Sequence, residues 1–540
     1  MKPTMAPVVA AVPVLAGLLL LVGLRWPAAR AMSVCGGLTA MLAVLFWGVP
    51  PLRVTAALLE AAVITLNILL ILFGALFLSA LLKGAGALQR IEDWIGGLSP
   101  DRRIQAVLVA WVMGSFFEGA AGFGTPAAIT APLLVALGFP ALPAVALALV
   151  GDSVAVVFGA VGTPLLVGMA EALAGLGPGQ ATITPAEVGI RAAGHDLLAG
   201  SLMPLLLVLT LTVGARGRQG LKEGLGAAPF ALAVGLAHMA VAALVARTLG
   251  PELPSLLGPL AGLAVALVLT RTGWLLPRVA WALPEERAPE APPPGAARRG
   301  AGGMTLARAV GPYVLLVALL ALSRARSLPV GGWLRGVTLG WEDILGTGIK
   351  ATLQPAYSPG LLFVLIALLS VPWFRARPAL LAQSARSASR VCLRAAVALV
   401  AAIGTVRIFI HSGVNSEGLA SMPLVLADVA ASGAGGVWPL LAPWLGALGS
   451  FIAGSATFSN MLFGGVQYAI AAARGLEPVN ILALQTMGAA AGNMICIHNV
   501  VAATAVVNVT GREGEVIRRT FIPMALYLVL AGLLGMFARS

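Results

Sequence analysis

Long apolar runs dominate this sequence and restrict its fold more than any other feature. Of its 540 residues, 59% are hydrophobic and only 10% are charged, whereas about 25% of the residues of a soluble globular protein are charged. This composition excludes an ordinary water-soluble enzyme, and it excludes intrinsic disorder, which requires low hydrophobicity and high charge. Because a membrane-spanning helix needs about 20 apolar residues, the sequence predicts an all-α polytopic membrane protein.

The apolar runs predict about twelve transmembrane helices. We place them near residues 7–24, 31–50, 54–82, 141–165, 196–214, 227–249, 254–270, 309–323, 359–374, 395–411, 478–510 and 520–538. The start of the chain, Lys2 followed by apolar residues to Leu24, is similar to a signal peptide. Since many spans follow, an uncleaved first helix is the favoured interpretation.

Two further apolar stretches, at about 104–138 and about 437–474, are interrupted in the middle. The interruptions, 114–126 and 449–460, are rich in Gly, Ser and Thr, and glycine disfavours a continuous helix. We interpret both stretches as re-entrant hairpins, which enter the membrane and leave on the same side. Non-helical backbone at that depth is tolerated only against protein or a water-filled cavity, so both hairpins should be surrounded by the rest of the protein.

The distribution of Arg and Lys predicts the orientation in the membrane. When each hairpin is counted as a non-crossing element, the most basic segments fall on one side of the membrane. These segments are 83–103, 215–226, 271–308, 375–394 and 512–519. The positive-inside rule makes that side cytoplasmic, which places both termini outside. The loop 324–358 is an exception to this rule, because it contains basic residues but is placed outside by the predicted topology.

The net charge of +13 is explained by these loops, and it does not indicate nucleic-acid binding. No basic patch with interleaved aromatic residues supports a nucleic-acid partner. The expected partners are therefore a small-molecule substrate and the lipid bilayer.

The two halves of the chain resemble each other. Gly114-Ser115-Phe116 corresponds to Gly449-Ser450-Phe451, and each hairpin is followed by an apolar run with a small or polar interruption, at about 141–165 and about 478–510. By the predicted topology, the first hairpin enters from the cytoplasm and the second from outside, so the repeat is inverted. Inverted repeats with broken helices are typical of secondary transporters, whose substrate binds near the middle of the membrane.

This repeat divides the chain into three parts. The first half covers 1–270, a cytoplasmic Pro-rich linker covers 271–308, and the second half covers 309–540. An inert duplicated scaffold is the alternative, but it does not explain why polar residues occur in both hairpin tips.

The hairpin tips and helix breaks contain the candidate substrate-binding residues. Half-helix N-termini offer free N–H groups and positive potential to a carboxylate, and glycine lets the backbone approach a ligand closely. The candidates are Gly119, Gly122, Gly124, Thr125, Ser153, Thr163, Ser455, Thr457, Ser459, Asn460, Gln485 and Asn493. For any single Ser or Thr, helix–helix hydrogen bonding is the alternative.

Several ionisable residues lie inside apolar runs, where they are costly and usually functional or paired. Glu118 in the first tip, Asp152 in the first break and His498 after the second break are candidates for proton coupling. The alternative for each is a structural side chain held by hydrogen bonds. A further alternative is that two carboxyl groups share one proton. Arg407 is a candidate for binding a substrate carboxylate. Its alternatives are a pair with Asp428 or an extended side chain that reaches the helix end.

At these positions the sequence resembles the lactate permease family. Glu118–Pro126 matches a family signature closely, and Leu137–Pro140 and Phe158–Pro164 continue the match. In the second half, Gly454–Asn460 and Gly511–Gly514 resemble further family segments. The resemblance implies proton-coupled uptake of L-lactate and similar 2-hydroxy monocarboxylates, such as glycolate and D-lactate, across the cytoplasmic (inner) membrane.

The sequence departs from the family pattern at three places. Ala456 stands where many members have Asp, and Asn493 stands where many have Lys. Gly151-Asp152-Ser153 stands where many members have Ala-Asn-Thr. The second half has therefore lost an acid and a base, while the first half has gained a carboxyl group.

Other classes of function lack their motifs. The sequence has no Gly-Lys-Ser/Thr phosphate loop for an ATP-driven pump, and no His-Glu-x-x-His for a metalloprotease. His411 is expected in a solvated outer loop. We therefore predict a transporter driven by an ion gradient, with no enzymatic activity, no cofactor and no structural metal.

A sodium-coupled carboxylate transporter is the main alternative, because hydroxyls, amides and unwound carbonyls at the tips suit sodium as well as substrate. A homodimer is expected only by analogy with transporters of this architecture.

The predicted orientation can be tested with reporter fusions. Alkaline phosphatase fused after Ser540 should be active, because the C-terminus is predicted to be extracytoplasmic, whereas a fusion at Ala297 in the linker should be inactive. Green fluorescent protein fused at the same sites should give the opposite pattern. An active phosphatase in the linker would show that the orientation is reversed.

Overall fold

The computed structural model describes most of the chain. The described residues are 2–20, 24, 26, 28–120, 122, 124–174, 183–283, 304–324, 329–426, 435–509 and 512–538. Most of these residues are helical, and the strands among them form one short antiparallel pair, β1 (Leu339–Trp341) and β2 (Ala351–Leu353). The predicted helical class therefore agrees with the structure.

The α-helices are numbered in chain order. They are α1 (Lys2–Leu18), α2 (Ala28–Leu45), α3 (Pro51–Gly84), α4 (Ala87–Gly96), α5 (Arg102–Ala106), α6 (Gly114–Ala120), α7 (Thr125–Ala136), α8 (Ala141–Gly151), α9 (Gly159–Thr163), α10 (Ala170–Ala174), α11 (Pro185–Asp196), α12 (Met203–Leu225), α13 (Ala228–Thr248), α14 (Pro254–Thr272), α15 (Leu306–Arg324), α16 (Val330–Gly336), α17 (Pro359–Phe374), α18 (Pro378–His411), α19 (Trp438–Ala453), α20 (Ala456–Ala473), α21 (Pro478–Gly492), α22 (Ile497–Val506) and α23 (Glu513–Phe537). The described residues also include two π-helical segments, Val107–Met113 and Pro164–Met169, and four 3₁₀ turns, Val154–Phe158, Gly200–Leu202, Ile344–Gly346 and Gly435–Val437. Residues 422–426 are helical as well.

Six helical segments in the described part of the chain are long and apolar enough to cross a membrane. They are Pro51–Gly84, Val154–Ala174, Gly200–Leu225, Ala228–Thr248, Pro254–Thr272 and Glu513–Phe537. Several shorter apolar helices accompany them, among them Ala141–Gly151 and Pro359–Phe374. The protein is therefore a multi-pass membrane protein, while the count of twelve spans stays a prediction.

The structure corrects the predicted boundaries of two basic loops. The segment 375–394 was expected to be a loop, but α18 begins at Pro378 and continues without interruption into the apolar run. The segment 215–226 is also largely helical, because α12 continues to Leu225 with a bend at Arg216 and Gly217. The reason is that Arg and Lys are good helix formers, so a change from apolar to basic residues does not end a helix.

Four helices form a bundle that we call the α3/α18 bundle: α2, α3, α17 and α18. The long helices α3 and α18 pack along each other, and α2 and α17 pack against this pair. Glycine allows the close approach of α3 and α17, because a Cβ atom at Gly74 would lie 2.4 Å from the carbonyl oxygen of Gly360. Glu60 lies on α3, and Arg407 and His411 lie on α18.

The interrupted stretches pack together in a second region, which we call the hairpin unit: residues 102–174 and 438–506. In its second half, α19 packs closely against α20 and α21. A Cβ atom at Gly488 on α21 would lie only 1.9 Å from the carbonyl oxygen of Pro443 on α19. The spacing of these two helices therefore requires glycine at this position.

Gly488→Ala should lower the free energy of unfolding by about 1–3 kcal/mol, because the added methyl group forces α19 and α21 apart. Thermal unfolding of the detergent-solubilised protein measures this effect. The matched control is Gly194→Ala on α11, where no heavy atom lies within 4 Å of the added Cβ. An equal loss of stability in both variants would contradict the packing argument.

Candidate functional site

The first interrupted stretch folds into two antiparallel helical arms. The first arm consists of α5, the adjoining π-helical segment and α6, and the second arm is α7. Gly114 on the first arm lies opposite Thr130 on the second. Between the arms, Gly122 and Gly124 have φ angles of 59° and 75°, a left-handed conformation that favours glycine. The stretch 104–138 therefore forms two helical arms joined by a turn, while its re-entry into the membrane stays a prediction.

The second interrupted stretch has the same shape. Helix α19 ends at Ala453, Gly454 has a φ of 75°, and α20 begins at Ala456. The arms are joined by hydrogen bonds in which Ser459 Oγ donates to the carbonyl of Gly446 at 2.7 Å and Gln467 Nε2 donates to the carbonyl of Ala442 at 3.0 Å.

The first broken helix follows the first hairpin. Helix α8 ends just before Asp152, and a 3₁₀ turn leads to Ala160, Val161 and Gly162, whose φ angles are 41°, 56° and 77°. Two consecutive non-glycine residues in this left-handed region cost of order 1–3 kcal/mol each. Such strain persists only where the surrounding structure holds the backbone in place, so this break is enforced by its packing.

The tips and breaks of the two halves contact each other. A Cβ atom at Gly124 in the first tip would lie 2.6 Å from Oδ1 of Asn499 in α22, after the second break. Asn460 near the second tip donates through Nδ2 to the carbonyl of Pro164 at 3.0 Å, just after the first break. Each hairpin tip therefore meets the broken helix of the other half, and one central region contains all four interruptions.

Glu118 and Asp152 form a carboxyl pair in this region. Both side chains are buried, and the two carboxyl groups are close enough to interact with each other. Two of their buried oxygens, Glu118 Oε2 and Asp152 Oδ1, have no hydrogen-bond partner in the structure. A Cβ atom at Gly159 would lie 2.0 Å from Glu118 Oε1, so glycine at 159 leaves the room that the carboxyl group occupies. Two buried carboxyl groups this close to each other do not readily carry a negative charge at the same time.

Several predicted binding residues are engaged within the protein. Ser153 donates to the carbonyl of Val150 at 2.7 Å, and Thr163 donates to the carbonyl of Ala160 at 2.6 Å. Gln485 donates to the Ser459 hydroxyl at 3.1 Å. These bonds agree with the structural alternative for single hydroxyl residues, although all of these side chains lie near the interruptions.

Other predicted residues have buried acceptors without a partner. Asn460 Oδ1 and Asn493 Oδ1 are buried and unpaired in the structure. Thr457 is buried, whereas Ser455 at the tip is half-buried. Gly119 packs against the backbone of Ser255, where a Cβ atom would lie 2.3 Å from the carbonyl oxygen. The side chains of Thr125 and His498 lie outside the described part of the structure.

Arg407 lies in a different environment from the tips. Its guanidinium group forms ion pairs with Glu60 on α3 and, through Nη1 at 3.0 Å, with Oε2 of Glu171 on α10. The suggested partner Asp428 lies outside the described residues. The expectation that His411 is a solvated loop residue is wrong, because it ends α18 and its Nε2 lies 2.8 Å from Glu60 Oε2.

Sequence reasoning missed Glu60 and Glu171. Glu60 is a single carboxylate within the apolar run 54–82, and the cost of burying it was a usable signal. Glu171 follows a broken helix and had no such signal, since its partner is 236 residues away in the chain.

A multi-pass helical fold with polar helix interruptions buried together at its centre is typical of membrane transport proteins. The chain belongs to the L-lactate permease family, whose sequence model matches residues 6–539. The named relatives are permeases rather than enzymes.

Three relatives illustrate the similarity. The putative L-lactate permease of Haemophilus influenzae is 29% identical over 90% of this chain and 89% of its own length. The L-lactate permease of Escherichia coli K12 is 28% identical over 97% of this chain and 94% of its own. The glycolate permease of the same strain is 27% identical over 86% and 83%.

Asn460→Ala should destabilise the contact between the halves by about 0.5–1.5 kcal/mol, because it removes the buried hydrogen bond from Asn460 Nδ2 to the carbonyl of Pro164. Thermal unfolding in detergent should show a clear loss for this variant. Gln219→Ala, which removes an exposed hydrogen bond to Glu223, is the control and should change little. An unchanged unfolding temperature for Asn460→Ala would show that the bond does not join the halves.

Proposed function

We propose that this protein is a secondary active transporter for the proton-coupled uptake of L-lactate and related small 2-hydroxy monocarboxylates, such as glycolate and D-lactate, across the cell (inner) membrane. Family membership and relatives named for L-lactate and glycolate support the substrate class. The observation that carries the coupling is the buried Glu118–Asp152 pair at the meeting point of the first tip and the first break.

The carboxyl pair supplies a place to hold the transported proton. Two buried carboxyl groups in contact do not both ionise, so the pair takes up and releases a proton as one unit. Moving a carboxylate through a low-dielectric region is costly unless its charge is compensated. A proton held on Glu118 and Asp152 lowers that cost, because the loaded protein then carries less net negative charge. His498 is the corresponding candidate in the second half.

The substrate site lies between the tips and breaks in this proposal. Backbone N–H groups at the start of α7, next to Gly124, and the hydroxyl groups of Thr125 and Thr457 are the donors for the substrate carboxylate, and Gly119 and Gly122 belong to the same tip. The buried acceptors Asn460 Oδ1 and Asn493 Oδ1, which have no partner in the structure, suit the 2-hydroxyl group. The remaining candidates, Ser153, Thr163, Ser455, Ser459 and Gln485, complete the lining.

Arg407 is a weaker candidate for binding the substrate carboxylate. Its guanidinium group already binds two carboxylates, Glu60 and Glu171, so a substrate would have to displace one of them. We therefore assign this residue a different role below.

The proposed architecture is the inverted repeat of 1–270 and 309–540 with two re-entrant hairpins, about twelve spans and both termini outside. Transport then follows from movement of the hairpin unit against the α3/α18 bundle, which exposes the central region to each side in turn. By analogy with other transporters of this architecture, we also propose a homodimer, formed through helices that do not move during transport.

Uptake of labelled L-lactate into proteoliposomes tests the proposal. With the interior alkaline and sodium absent, the wild-type protein should accumulate lactate. Glu118→Gln or Asp152→Asn should abolish accumulation but leave lactate exchange measurable, because exchange needs no net proton transfer. Glu342→Gln, which changes a carboxylate in an ion pair exposed to solvent, is the control and should behave like wild type.

Two results would contradict parts of the proposal. Accumulation that begins only when sodium is added would show that sodium, and not the proton, is the coupling ion. Accumulation that is unaffected in both carboxyl variants would exclude the Glu118–Asp152 pair as the proton carrier.

A further inference from the structure

A cluster of buried charges lies at the boundary between the α3/α18 bundle and the hairpin unit. Arg407 on α18 contacts Glu60 on α3, and His411, one turn after Arg407, contacts Glu60 at 2.8 Å. The side chains of Arg407 and Glu60 are each only 5% exposed. The proton-coupling proposal does not use this cluster.

The cluster is divided unequally between the two sides of the boundary. Glu60, Arg407 and His411 belong to the α3/α18 bundle. Glu171 comes from α10 in the hairpin unit, and its Oε2 lies 3.0 Å from Arg407 Nη1, which also approaches the Glu171 carbonyl at 3.4 Å. The Glu171 side chain is 25% exposed, so it is the most exposed member of the cluster.

The surroundings of this ion pair are apolar. Val406 and Ile410 on α18 line a small cavity together with Met461 and Leu462 on α20. Apolar side chains from the two sides can slide past each other with little loss of specific contacts. An ion pair, in contrast, is either formed or broken, so it distinguishes one relative position of the two sides from another.

We propose that the Glu171–Arg407 ion pair is a latch that holds the hairpin unit against the α3/α18 bundle in the conformation described. This proposal rests on the proposed function, because the latch opens when the two parts move during transport. Glu171 and Arg407 are therefore positioning residues, which set the balance between conformations and do not bind the substrate.

The charge distribution makes such a latch reversible. Breaking a buried ion pair is costly when it leaves a charge without a partner. When Glu171 leaves, Arg407 keeps its ion pair with Glu60, so the buried guanidinium charge is not left without a partner. The remaining Glu60–Arg407–His411 contacts stay within one bundle and do not need to break.

The accessibility of an introduced cysteine tests the latch. Leu462→Cys places a thiol at the boundary, and the native cysteines Cys35, Cys392 and Cys496 are buried. The full-length protein in proteoliposomes is labelled with a maleimide in the absence of any substrate. Adding Glu171→Gln to this background should raise the labelling rate about threefold or more, because the open population increases. Glu171→Asp, which keeps the charge, should lie closer to the Leu462→Cys parent.

Glu477→Gln on the same background is the matched control. Glu477 pairs with Arg191 at 2.7 Å, and this pair joins α11 to the start of α21 away from the latch. It should leave the labelling rate unchanged. An unchanged rate in Glu171→Gln, or an equal increase in both variants, would overturn the latch.

Labelling requires no lactate transport, so the test separates the latch from the proposed substrate and coupling ion. A protein that labels as expected but does not accumulate lactate supports the latch and contradicts only the proposed function. Thermal unfolding of Glu171→Gln should match that of Glu477→Gln. A large loss of stability in Glu171→Gln alone would identify the pair as a static structural contact and overturn the latch.

Discussion

The structure depends on satisfying the backbone groups that its helix interruptions release inside an apolar fold. Such groups have no water partner in the membrane interior, so each must be matched by another part of the protein. Side chains near the interruptions also bind backbone groups of neighbouring elements: Asn460 donates to the carbonyl of Pro164 in the other half, and Ser459 donates to the carbonyl of Gly446 on α19. Glycines such as Gly488 allow close helix contacts in the same region.

Two groups of buried ionisable residues lie in different parts of this low-dielectric interior. Glu118 and Asp152 meet where the first tip touches the first break. Arg407 instead joins Glu60 and Glu171 at the boundary between the two parts of the protein. In the proposed mechanism the Glu118–Asp152 pair binds the transported proton. The Glu171–Arg407 pair holds the hairpin unit against the α3/α18 bundle. Their separation allows conformational balance and proton binding to be altered independently.

Much of the candidate site was predictable from local patterns. Both interrupted stretches fold as antiparallel arms with left-handed glycine in the turn, as the Gly-rich segments indicated. The loop at 375–394 was wrong, because helix propensity does not distinguish a basic extension of a helix from a loop. The role of Arg407 was also left open, since its sequence neighbourhood contains none of the carboxylates it contacts. Its partner Glu60 is 347 residues away.

The amino-acid sequence by itself determines which segments are apolar enough to lie in the membrane and where the helices break. It also determines which family the protein belongs to. These properties depend on the length of apolar runs and on the conformational freedom of glycine, both of which act over a few residues. Which ionisable groups become partners was decided only by tertiary structure. The pairs Glu118–Asp152 and Arg407–Glu171 depend on which helix faces pack together, and no spacing within a single helix contains that information.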